Sequence, residues 1–108
     1  MSLTQQYQRT IQNIQVGDIQ PDGSIPTLQI SAYDHFSGKY LVIAQLGNMN
    51  QEFFSHAVFD GYKKYLHIQP FNRRSKKGFE SAIQSVTQAQ IELCVTDCKK
   101  WIKEQEGK

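Results

Sequence analysis

The sequence predicts an α+β domain with an N-terminal helix, a four-stranded antiparallel meander and a helical C-terminal third. Three observations carry that reading. Residues 27–69 divide into four apolar runs separated by turn-forming clusters, the last two runs flank Asp60-Gly61, and segments with helix-like apolar spacing lie before and after them.

The first segment places Leu3, Tyr7, Ile11 and Ile14 at spacings of four, four and three, which puts them on one face of a short helix. Gly17-Asp18 and Pro21-Asp22-Gly23 are breakers, so this helix is expected to stop near Gln15 and a loop to lead to Pro26. From Thr27 to Tyr33, Leu28, Ile30 and Ala32 alternate with Thr27, Gln29, Ser31 and Tyr33, the period of a half-buried strand. Asp34-His35-Phe36-Ser37-Gly38 then turns the chain. Lys39 to Leu46 holds the unbroken run Leu41-Val42-Ile43-Ala44, as expected of an inner strand covered on both faces, and Gly47-Asn48-Met49-Asn50 is the next expected turn.

Glu52 to Phe59 and Tyr62 to Gln69 flank Asp60-Gly61, a two-residue loop favoured in tight hairpins because its residues accept φ > 0. A turn there pairs Phe59 with Tyr62 and Phe53 with Ile68 on one face. On the other it sets Phe54 opposite His67, His56 opposite Tyr65 and Val58 opposite Lys63.

Pro70 lacks a backbone donor and ends the fourth strand, and Asn72 to Gly78 forms a polar, basic loop. Beyond it, Phe79, Ala82, Ile83, Val86, Leu93 and Cys94 share a helical stripe, whereas Ile91 and Val95 fall outside it. Two readings stand. One is a single helix from about Lys77 to about Glu104, favoured because no glycine or proline interrupts it. The other ends the helix near Ser85-Val86-Thr87, makes Ile91, Leu93 and Val95 a short fifth strand and starts a final helix at Thr96. Length favours the second, since ~28 helical residues span about 40 Å, more than the width of a domain this size.

At 108 residues with 39% hydrophobic content, the chain is expected to form one domain over residues 1–108, monomeric or a small homo-oligomer. It has no apolar run of membrane-spanning length, and its first residues lack a basic, then apolar, leader pattern, so a cytoplasmic protein without a membrane partner is expected. Cys94 and Cys98 fit neither a disulfide framework nor a complete zinc site and read as reduced thiols.

No Gly-x-Ser-x-Gly elbow, phosphate-cradling glycine loop, His-Glu-x-x-His helix or Asp-rich calcium loop occurs, so no catalytic residue and no cofactor are assigned. Asp34 and Asp60 are turn residues first, because turns recruit aspartate for backbone hydrogen bonds. The expected register makes His56 and His67 diagonal neighbours. Zinc needs three or four protein ligands, so this pair reads as cross-strand packing and no metal is assigned.

The one constellation with a coherent mechanism is electrostatic and aromatic. The net charge is only +2, yet Lys63, Lys64, Arg73, Arg74, Lys76 and Lys77 lie between Gly61 and Phe79 without an acidic residue among them. Single-stranded nucleic acid is commonly held by sheet aromatics that stack on bases and by flanking cations that neutralise phosphates. Phe54, Tyr65 and His67 would supply stacking, with Lys63, Arg73, Arg74, Lys76 and Lys77 at the rim. The competing reading makes the rings cross-strand pairs and the loop a solvated one. A protein-interaction or regulatory module, dimeric through a sheet face, is the alternative function, and a pocket around His35, His56 and His67 a weaker enzymatic one.

Tyr7-Gln8-Arg9-Thr10-Ile11-Gln12-Asn13, the successive strands through Asp60-Gly61, Tyr65-Leu66-His67-Ile68-Gln69 and the stretch from Gly78 to Val95 give an order of segments that resembles the XisI family, controlling factors of genetic-element excision. The chain shows Gly47-Asn48 where the family's second strand usually closes with Gly-Trp, and Asn72-Arg73-Arg74 in place of a Thr-Glu pair. The resemblance implies a non-enzymatic accessory factor acting with a DNA-recombination or toxin-like partner, and a helix, strand, helix C-terminal third.

Overall fold

In the computed structural model, which describes residues 7–56 and 61–107, five strands precede two helices. The strands are β1 (Gln8–Gln15), β2 (Ile25–His35), β3 (Lys39–Asn50), β4 (Phe53–His56) and β5 (Lys63–Pro70); the helices are α1 (Lys76–Gln84) and α2 (Gln88–Glu106). All the strands join one antiparallel sheet. β1 pairs with β2, and β2 pairs with β3 from Ile25 opposite Met49 to His35 opposite Lys39. That leaves β3 one edge, shared by β5 along Lys39–Gln45 and by β4 along Gly47–Asn50. β4 and β5 therefore lie end to end.

The α+β class is as expected, but the expected N-terminal helix is not present among the described residues. Gln8–Gln15 is a strand. A bulge between Thr10 and Gln12 explains the misleading period: one extra residue lets Ile11 and Ile14, three apart, both pack against the core. Leu3, like Ala57, Val58, Phe59 and Asp60, lies outside the described residues.

The expected meander is also corrected. β3 continues through Gly47–Asn50, where a turn was expected, and the tight hairpin falls at Gln51-Glu52, with Asn50 opposite Phe53. Gln51 adopts φ 57°, a conformation usually given to glycine. Gly47 has a different reason to lack a side chain. A Cβ there would stand 2.5 Å from both the Phe54 ring and the Ser55 carbonyl oxygen. The expected β4–β5 register is replaced: Phe54 faces Met49, His56 faces Gly47, Tyr65 faces Ile43 and His67 faces Val42.

Neither reading of the C-terminal third survives intact. Two helices meet at Ser85-Val86-Thr87 with no strand between them. Thr87 caps α2 through a box in which its hydroxyl accepts from the Gln90 amide while the Gln90 side chain accepts from the Thr87 N–H. The break resets the helical phase. Phe79, Ala82, Ile83 and Val86 pack against the sheet as expected, but Ile91, Cys94, Val95, Cys98, Trp101 and Ile102 continue the core, and Leu93 points outward. Both cysteines are free and buried, as expected of reduced thiols.

The core lies between the helices and one side of the sheet, centred on Leu28, Ile30, Ala32, Tyr40, Val42 and Ala44. Among the described residues, no helix is long and apolar enough to cross a membrane.

Candidate nucleic-acid interface

Alternation along β2 and β3 sends every second side chain away from the helices. On that face, which neither helix covers among the described residues, the ladder sets side chains in rows: Gln8, Tyr33, Leu41 and Ile68; Thr10, Ser31, Ile43 and Tyr65; Asn13, Gln29, Gln45 and Lys63. None of these side chains is acidic. Leu41 and Ile43 are buried between their row neighbours although they do not belong to the helix-side core cluster. Tyr65 is 54% and Ile68 49% exposed. The Lys63 ammonium lies 5.3 Å from the Tyr65 ring centre, and the Gln29 amide donates to Asn13 at 3.1 Å.

The residues singled out in the sequence are dispersed. Tyr65 and Lys63 stand together on the open face. Phe54 is half-buried, its ring against Gly47 at the far end of β3. His67 pairs with Val42, half-buried, with its Nε2 3.2 Å from Gln69 Oε1. It does not converge with His35, which lies beside the β2–β3 turn with Nδ1 2.7 Å from Ser37 Oγ. No group of three or more His, Cys, Asp or Glu side chains among the described residues is placed to hold a metal.

The basic cluster divides. Lys63 and Lys64 open β5, whereas Arg73, Lys76 and Lys77 are exposed beyond its other end, about 20 Å away at 3.3 Å per strand residue. Arg74 is drawn inward. Its Nε forms an ion pair with Oδ2 of fully buried Asp34, whose Oδ1 accepts from the Tyr7 amide at 2.8 Å. Asp34 is thus a strand residue with an internal partner, not a turn former. Beside it, the Tyr40 hydroxyl accepts from the Ser75 N–H at 2.7 Å and donates to the Ser75 carbonyl at 3.0 Å, fixing the start of α1.

At the other end of β5, Tyr62 donates to Asp97 Oδ2 at 2.6 Å, and Lys64 approaches the same carboxylate at 3.7 Å. Burial, reinforced by that bond, raises the Tyr62 pKa, while the Tyr62 hydroxyl holds Asp97 below the usual carboxylate range. Burial pushes the Cys98 thiol up to about 12, which keeps it protonated and unreactive. Lys64 is therefore partly neutralised.

Tyr33, Asp34, Tyr40 and Asp97 were not identified in the sequence as site or anchoring residues. Alternation did place Tyr33 opposite Leu28, Ile30 and Ala32, the available signal for its position on the open face. The partners of the others lie at least 27 residues away. No protein-family model, curated protein or solved structure matches this chain significantly.

Proposed function

We propose that the chain is a small non-enzymatic binding protein that takes single-stranded nucleic acid on the uncovered face of its sheet. The observation that carries this reading is the pairing of exposed Tyr65 with Lys63 on a face whose described ladder residues include no acidic side chain. Tyr65 supplies a stacking surface, Lys63 a phosphate partner, and the amides of Gln8, Gln29 and Gln45 hydrogen-bonding groups for base edges. The accessory role implied by the XisI resemblance, beside a DNA-recombination partner, belongs to the same reading.

Titration of a fluorescent single-stranded oligonucleotide at two salt concentrations tests it. Binding should weaken as salt rises, and Tyr65→Ala should weaken it further. Absence of binding at low salt, or indifference to salt, would sink the proposal.

Half-exposed Ile68 beside Leu41 favours a second reading, a protein-interaction module or homodimer through this face. A Lys63→Glu, Arg73→Glu variant separates the two, since association through apolar contacts survives charge reversal. Arg74 is unsuitable for that test because its reversal would set a carboxylate against Asp34.

A further inference from the structure

The rings on the open face do not stop at Tyr65. One row along β3, Tyr33 faces Leu41, and two residues further His35 ends β2 on the same side. The Tyr33 and His35 rings lie 6.4 Å apart, and His35 leads at 4.2 Å to Phe36, which is 67% exposed in the β2–β3 turn. That turn is held in shape. Gly38 takes φ 85° and donates to the His35 carbonyl at 3.0 Å, while the Ser37 N–H and hydroxyl both engage His35 Nδ1. From Tyr65 to Tyr33 the ladder crosses two strand spacings and one row, about 12 Å.

The split basic cluster gains a meaning from this diagonal. Lys63 stands at its Tyr65 end. At its Phe36 end are exposed Lys39 and Arg73, the latter on a loop tied to the turn by the Phe71 N–H, which donates to the Gly38 carbonyl at 3.0 Å. Two cationic ends separated by about 20 Å suit a chain of phosphates crossing the face between them better than one compact anion.

We infer that Tyr65, Tyr33, His35 and Phe36 form a diagonal stacking track for a single strand of about four nucleotides, one base per ring, with Lys63 and Lys39–Arg73 on the phosphates at its two ends. The inference rests on the nucleic-acid reading above and extends it to residues on the opposite side of β3. Sequence tolerance follows, because stacking uses the ring face every base presents.

Fluorescence anisotropy with oligothymidylates of increasing length tests the track on the full chain. Wild-type affinity should rise steeply up to about four nucleotides and then level off, and Phe36→Ala should cost about tenfold on the longer ligands while leaving the shortest unaffected. Phe36 is exposed, so the fold should tolerate its removal, which a thermal melt verifies. Phe36→Trp should retain affinity and add fluorescence that the ligand quenches. Wild-type binding with Tyr65→Ala weakened but Phe36→Ala and His35→Ala unchanged would overturn the track and leave the broader reading standing. No wild-type binding at low salt would overturn both.

Discussion

The two faces of the sheet are built from the same strands and hold their polar groups in opposite ways. On the helix side, polar side chains are consumed by the fold: Asp34 by Arg74 and the Tyr7 amide, Tyr40 by both backbone groups of Ser75. On the open side, the amides and rings contact one another: Gln29 donates to Asn13, Lys63 lies over Tyr65, and Tyr33 lies 6.4 Å from His35. A polar group committed inside a fold contributes to stability through its partner, whereas one presented outward leaves its interactions for a ligand. The contrast also sorts the basic residues, since adjacent Arg73 and Arg74 belong to opposite categories.

Substitution should reveal this asymmetry. Asp34→Ala, which strips Arg74 and the Tyr7 amide of a buried partner, should lower the unfolding free energy in urea by about 3 kcal/mol. Gly78→Ala comes next. Alanine is the better helix former by ~1 kcal/mol, but its Cβ would lie 2.9 Å from the Tyr40 ring, and overpacking of this kind costs ~1–3 kcal/mol, so net destabilisation of about 1 kcal/mol is expected. Stabilisation instead would mean that Tyr40 yields readily.

Thr87→Ala, which opens the box at the start of α2, should cost ~0.5–1 kcal/mol and lower helicity by circular dichroism. Asp97 should produce a small acid-side effect. Its folded pKa is depressed, so its contribution is present above the ordinary carboxylate value and is lost as pH falls through the lower folded value; Asp97→Asn should flatten that part of a stability profile. Tyr65→Ala closes the series with a stability change within ~0.5 kcal/mol, together with weakened oligonucleotide binding. A large stability loss there would make the open face structural and erase the contrast.

What was legible in the sequence follows the locality of each signal. Alternation from Leu28 to Ala32 and the 79–82–83–86 stripe are local, and both appear in the fold. The first strand was obscured because its bulge gives it a helical spacing. The Gln51-Glu52 hairpin was hidden because glutamine takes a conformation associated with glycine, while Asp60-Gly61 offered the more conventional signal nearby. The Thr87-x-x-Gln90 box was present in the chain and would have located the break between the helices. Of the site, Lys63 and Tyr65 were identified together, but their true row neighbours Gln45 and Ile43 depend on the pairing of β5 with β3, a long-range choice that no short motif encodes.

The bulge in β1 has one more effect. β1 is an outer strand, and an outer strand with an unbroken ladder offers its free N–H and C=O groups to any other extended chain. The extra residue at Thr10–Gln12 breaks the spacing of those groups midway along the strand, so an incoming strand loses its register after a few residues. Growth of the sheet from molecule to molecule is thereby discouraged at this margin.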